Sequence, residues 1–248
     1  MSDLIAAELL KLRTTRTFWW VSLLGLGLPV LFTVITLATS TTRTESDARS
    51  VLSNIGIAGL FMLILGVVGA AGEYRHGTIT STFLVAPDRR RALLAKALAH
   101  GIGGLCVGIV CAAAVLAISA PWLAGQGHAL GSLGLDAGDV AAIAAGSLAY
   151  LAISAVLGVG VGALVTNQVA AVVTVIVIIF IVDPAVAALA HSYGKFSLQG
   201  LGMALSGNAS DNSGYELFPV GVAALIYLGY AAAVLAATAG VATQRDVT

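Results

Sequence analysis

The chain contains five long stretches without a single Asp, Glu, Lys or Arg: Phe18 to Thr42, Val51 to Gly72, Ala97 to Leu135, Val140 to Val182 and Leu217 to Gln244. About 20 apolar residues in an α-helix cross the roughly 30 Å hydrocarbon core of a bilayer. The fourth stretch would reach about 65 Å as one helix, too far for a single crossing. It therefore holds two, and Thr166-Asn167-Gln168, its only strongly polar run, is where a turn finds water. Six spans follow, at about 18–40, 51–72, 97–120, 140–165, 169–190 and 219–243.

Composition excludes a water-soluble alternative. Charged residues make up 10% of the 248 and hydrophobic residues 58%, with mean hydropathy +0.98. A soluble fold of this composition would expose large contiguous apolar patches. The 12 basic and 12 acidic residues cancel, so overall charge points neither to nucleic acid nor to an acidic partner. Because spans alternate sides, the zero resolves into two halves. With the amino terminus inside, Lys11, Arg13, Arg16, Arg75, Arg89, Arg90, Arg91, Lys96 and Arg245 are cytoplasmic and only Arg43, Arg49 and Lys195 lie outside. The positive-inside rule selects this orientation, with about +4 inside and −4 outside. The expectation is a multi-pass protein of the cell (plasma) membrane with both termini cytoplasmic.

The basic residues before the first span resemble a secretory signal, but its apolar run exceeds a signal's 7–15 residues and no small-x-small cleavage site follows before Thr41. It is read as a retained span. Cys106 and Cys111, at i and i+5, point to different faces and read as buried thiols, with neither disulfide nor zinc spacing. His76, His100, His128 and His191 are scattered, so no metal site and no catalytic residue is expected.

Residues 2–17 read as a helix in the cytoplasmic interface, with Leu4, Ile5, Leu9 and Leu12 on its apolar face and Glu8, Lys11 and Arg16 mainly elsewhere. Lys11, Arg13 and Arg16 with Trp19 and Trp20 anchor it at headgroup level. In segment 73–96, Gly77 permits a sharp reversal, Thr78 suits the N-cap of a short helix ending before Pro87, and Asp88 caps the third span. Topology enforcement by its charges is the plainer reading of this loop.

The run Glu73-Tyr74-Arg75-x-Gly77-Thr78, followed by Pro87, Arg89 and Lys96, resembles the cytoplasmic loop of the type 2 ABC transporter permeases, the six-span membrane subunits of ABC exporters. Glu8-x-x-Lys11-Leu12-Arg13-Thr14-x-Arg16-Thr17-x-Trp19 is similar to the start of such permeases in actinobacteria. The resemblance implies an all-α integral membrane protein with an N-terminal elbow helix, six transmembrane helices, a coupling helix between spans 2 and 3, and short re-entrant helices between spans 5 and 6. By match, Glu73, Tyr74, Arg75, His76, Gly77, Thr78, Pro87, Arg89 and Lys96 inherit coupling to an ATPase. It implies two copies of an ATPase partner carrying ATP and Mg, a second permease copy or similar permease, contact with membrane lipid, and a small amphipathic cargo. No G-x-x-x-x-G-K-[ST] occurs, so nucleotide hydrolysis is expected on the separate chain and no cofactor on this one.

The segment 183–216 is long for a plain connection. Pro184 to Ala190 and Phe196 to Leu205 are apolar enough to dip into the outer leaflet, and Asn208 to Gly214 reads as a solvated loop. Asp183 reads as a helix cap ahead of Pro184. Gly104 with Gly108, and Gly158 with Gly162, are small-xxx-small pairs for helix packing within the chain or between permeases. Ser53, Asn54, Ser147, Tyr150, Ser154 and Thr174 are the main polar groups within spans, and the lack of mid-span Arg, Lys or Glu argues against an ion-coupled carrier. The leading expectation is an ATP-driven exporter of an amphipathic or lipophilic substrate. A non-transporting mechanical or sensory subunit of the same fold is the alternative, and an intramembrane enzyme using Glu73, His76 or His100 is a weaker one.

Overall fold

A computed structural model of the protein describes residues 1–39, 42, 44–78, 88–208 and 215–244, of which His191 and residues 242–244 by backbone only. Every regular element among the described residues is helical. Helix α1 (Ser2–Thr14) precedes α2 (Arg16–Thr39). Helix α3 (Glu45–Ser53) runs through a 3₁₀ turn at Asn54–Ile57 into α4 (Ala58–Arg75), and α5 (Arg89–Gly125) and α6 (Ala137–Val165) follow. Next come α7 (Gln168–Val177), continued by a π turn at Ile178–Val182 into α8 (Asp183–Leu189), then α9 (Leu198–Leu205) and α10 (Val220–Gln244).

Six helical segments are long and apolar enough to cross a membrane: Arg16–Thr39, Glu45–Arg75, Arg89–Gly125, Ala137–Val165, Gln168–Leu189 and Val220–Val241. The chain is a multi-pass membrane protein. Three expected spans needed correction at their ends. Absence of charge marks the hydrocarbon interior, whereas helices continue past it to a cap. The second span begins at Glu45, where Thr44 and Asp47 form a capping box with bonds of 3.0 and 3.3 Å. The third begins at Arg89, where Asp88 Oδ1 accepts from the Arg90 and Arg91 N–H groups at 3.1 and 3.2 Å. It extends to Gly125, and the fourth starts at Ala137, capped by Asp136, which accepts from Asp139 N–H at 2.8 Å.

The turn between the fourth and fifth spans falls where the sequence places it. Thr166 has φ +60°, and Asn167 caps α7 by accepting from Ala170 N–H at 3.1 Å. The packing centre is the pair α4 and α6. A Cβ on Gly158 would lie 3.0 Å from the Leu63 carbonyl carbon, and one on Gly162 would strike the Val67 backbone. Gly104 serves the α5–α6 contact likewise, with a Cβ there 2.8 Å from the Leu151 carbonyl oxygen. Gly108 faces Leu148 and Leu151, so both glycine pairs pack within this chain. Helix α10 joins α6 through Ser154 Oγ and Tyr227 Oη at 2.9 Å and through Thr238 Oγ1, which donates to the Gly160 carbonyl at 3.0 Å.

Among the polar span residues, Ser147 donates to its own helix at Ile143, which spares it a partner elsewhere. One thiol differs from expectation: Cys111 is buried but Cys106 is exposed, because the five-residue offset turns it to the outside of the bundle.

Candidate functional site

The bundle has a basic end, where α2, α5 and α7 begin and α4 and α6 finish. Arg75 and Gln168 meet there at 3.3 Å. Three elements bring four charges together at this end. Glu8 and Lys11 are one turn apart on α1, Glu73 is in the last turn of α4, and Lys96 stands about 10 Å inside α5 from its start at Arg89.

Lys96 Nζ lies 2.5 Å from Glu8 Oε2 and 2.9 Å from Glu73 Oε1, and Lys11 Nζ lies 2.6 Å from Glu8 Oε1 and 3.0 Å from Glu73 Oε1. Each lysine thus bridges both carboxylates, closing a neutral ring. Glu8, Glu73 and Lys96 are buried, while the Lys11 side chain is 48% exposed. Burial works against the Glu8 carboxylate, yet the charge of Lys96 and the bonds from Lys11 and Lys96 outweigh it and hold its pKa below the ordinary value. Burial likewise opposes the Lys11 ammonium, and its bonds to Glu8 and Glu73 prevail, raising its pKa.

This corrects one expectation. Glu8 does not lie off the packing face of α1; it shares that face with Leu12, four residues on, because an ion pair with Lys96 replaces the water it would otherwise need. Lys96, counted with Arg89, Arg90 and Arg91 among the cytoplasmic charges, is buried, since the longer α5 carries it inward onto the ring.

Beside the ring lies a cavity of about 470 Å³ whose lining mixes polar residues, among them Lys11, Thr17, Glu73, Lys96, His100 and Gln168, with the apolar Leu12, Phe18, Leu65 and Val68. His100 is buried. Its Nδ1 is 2.9 Å from the Lys96 carbonyl, which only accepts, so Nδ1 carries the proton and Nε2 of the neutral ring is an acceptor. Neither His100 Nε2 nor Glu73 Oε2 has a hydrogen-bond partner among the described residues.

The remaining motif residues surround this site. Tyr74 and Arg75 close α4, His76 Nδ1 contacts the Gly72 carbonyl at 2.8 Å, and Gly77 takes φ +68°, ending the helix by the left-handed turn that glycine permits. Thr78 Oγ1 reaches the Glu73 carbonyl at 3.5 Å, and Arg89 opens α5. Pro87, and with it the expected short helix after Thr78, falls outside the described residues. On α1 and α2, Arg13, Arg16, Trp19 and Trp20 are all exposed, and Trp19 Nε1 donates to the Arg13 carbonyl at 3.0 Å. His100 is the residue that sequence reasoning left without a role in the ring region; its i+4 spacing from Lys96 is the signal that joins them.

At the opposite end, α9 is inserted among the second, fourth and sixth spans. A Cβ on Gly202 would lie 2.7 Å from Tyr150 Cζ, and one on Gly56 would lie 2.9 Å from Ser206. Asp183 holds this insertion in place. Its carboxylate accepts from Tyr193 Oη at 2.8 Å and from Leu198 N–H at 2.9 Å, so it supports the first turn of α9, whose N-cap is Ser197, rather than a helix opening at Pro184. The reason is that α7, the π turn and α8 form one continuous rod, leaving no helix start at Pro184 to cap. A second cavity of about 390 Å³ opens here, with Asn54, Tyr150, Gln199, Ser206 and Tyr227 among its lining.

Among the described residues no three His, Cys, Asp or Glu side chains converge on a common metal position. No protein-family model matches this chain, and no curated protein matches its sequence.

Proposed function

We propose that the chain is the membrane subunit of an ATP-driven exporter of the type 2 ABC permease kind, moving an amphipathic or lipophilic cargo outward when a separate ATPase binds. In this reading the ring end faces the cytoplasm, α1 is the elbow helix, segment 73–96 couples the chain to the ATPase, and α8 and α9 are the re-entrant helices.

The observation that carries the reading is the ring itself. It fastens α1, the end of α4 and the start of α5, the elements that flank segment 78–88, into one unit. A push on that segment then reaches both the second and third spans without being absorbed by a loose loop. The glycine-packed α4–α6 contact passes the displacement to the fourth span, which lines the far cavity through Tyr150. The cavities at the two ends supply separate polar surfaces along an otherwise apolar path.

Co-expression with a candidate ABC ATPase from the same genome tests the proposal. The expected result is a copurifying complex whose ATPase activity rises with an amphipathic cargo in proteoliposomes. Arg75→Glu is expected to weaken the complex while leaving the membrane subunit folded. Failure of any ATPase to copurify, or cargo movement indifferent to ATP, overturns the assignment.

A further inference from the structure

We propose that the cavity beside the ring seats the phosphoethanolamine headgroup of a membrane lipid, with its ammonium at Glu73 and His100 and its phosphate toward Lys11 and Thr17. Two buried acceptors without a donor among the described residues, in an amphipathic cavity at the end of a membrane bundle, are the juxtaposition that points to it.

Glu73 is 8% exposed and His100 2%, and both line the cavity. Glu73 Oε2 is a carboxyl oxygen whose partner oxygen already receives both lysines, while the tautomer fixed by the Lys96 carbonyl leaves His100 Nε2 a lone pair. What these two atoms lack among the described residues is therefore a donor. Leaving such groups buried and unpaired is costly, so a donor-rich guest gains from entering. A primary ammonium has three N–H donors, whereas a trimethylammonium has none.

Charge narrows the guest further. The two glutamates and two lysines already cancel, so a lone cation would leave a net positive charge in a partly buried place. A zwitterion adds no net charge. Its phosphate would find the half-exposed Lys11 and the hydroxyl of Thr17 in the first turn of α2, which begins at Arg16. Leu12, Phe18, Leu65 and Val68 provide the apolar side along which the acyl chains leave. Exposed Trp19 and Trp20 put this end of α2 at headgroup depth. The inference needs only that the bundle sits in a membrane, so it stands or falls apart from the transport assignment.

The test is lipid binding to the delipidated full chain by native mass spectrometry, with phosphatidylethanolamine, phosphatidylcholine and phosphatidylglycerol of identical acyl chains. The expected result is binding of the ethanolamine lipid about tenfold or more tighter than the choline lipid, since only the former donates charge-assisted bonds. His100→Leu is expected to cut that preference to about threefold or less, with the folded state checked by thermal unfolding. Soluble phosphoethanolamine that displaces the lipid assigns recognition to the headgroup alone; displacement only by the intact lipid assigns it to headgroup and chains together. Equal binding of ethanolamine and choline lipids to the wild-type chain overturns the proposal whatever the variant does. So does an undiminished preference in folded His100→Leu.

Discussion

Glu8 and Lys96 are 88 residues apart in the chain, and their charged atoms lie 2.5 Å apart in the fold. Both side chains are buried, so this pair is not an ornament of the surface. It fixes the helix that precedes the first span to the third span, and with Lys11 and Glu73 it makes each charge depend on two others.

Removing one member should therefore cost more than removing a pair. Lys96→Met leaves two buried carboxylates short of a partner and is expected to destabilise the protein by about 3–5 kcal/mol. Combining it with Glu8→Gln should cost clearly less than the sum of the two single changes. Thermal unfolding in detergent of the single and double variants gives the coupling, and strict additivity would refute a ring that acts as a unit.

The attachment of α1 should respond to acid. Glu8 has a lowered folded pKa, so its contribution is complete above the ordinary carboxylate value near 4.5 and is lost as pH falls through the folded value. Lys11 has a raised folded pKa, so its contribution is complete below about 10.5 and is lost as pH rises through the folded value. Hydrogen exchange of residues 2–14 should be flat in protection across neutral pH after correction for intrinsic rates, and should lose protection below about pH 4.

Gly158→Val should be among the most damaging changes in the chain. Its side chain would enter the Leu63 and Val67 backbone of α4, which is not free to retreat, at a cost of about 3 kcal/mol or more. Gly229 has no atom within 4 Å of an added Cβ, so Gly229→Ala is expected to be neutral or stabilising by up to about 1 kcal/mol. Yield and unfolding temperature of the two variants compare close packing with mere helix propensity.

Asp183→Asn should loosen α9 and release Tyr193 together. Burial first, and the carboxylate of Asp183 second, push the Tyr193 phenol up to about 12. Without that carboxylate it should titrate nearer to 10, visible as the absorbance difference between this variant and one that also carries Tyr193→Phe. Hydrogen exchange at Leu198, whose N–H bonds to Asp183 at 2.9 Å, should quicken in the same variant.

A membrane-permeant thiol reagent should label Cys106 and spare Cys111. The first is exposed on the outside of the bundle and the second is buried against the core. Equal labelling of Cys106→Ser and Cys111→Ser variants would contradict the rotation of α5.

Features governed by neighbours in sequence were legible before the fold was known. The turn at Thr166-Asn167 and the cap at Asp88 depend on residues within one helical turn, and both stand where the sequence puts them. The glycine pairs were legible as packing surfaces, since only a missing side chain permits such approach, although their partners Leu63, Val67 and Leu151 were not. Glu8 was misread because on α1 alone a carboxylate belongs with solvent; its partner arrives from another helix. The ends of the second and third spans were misread because absence of charge locates hydrocarbon and says nothing of where hydrogen bonding stops. Asp183 was assigned the wrong helix to cap for a related reason, as the π turn that carries the rod through Pro184 leaves no mark in composition.

Only Thr166 and Asn167 separate α6 from α7, so the fourth and fifth spans share a pivot at the basic end. The 22-residue rod that starts at Gln168 is then a lever arm of about 33 Å, with Asp183 and its attached α9 toward the far end. A swing of roughly 10° about that pivot would carry the tip by roughly 6 Å on this arm. A small rotation beside the charged ring would thereby be magnified where Ile179 and Phe180 of this rod line the distant cavity.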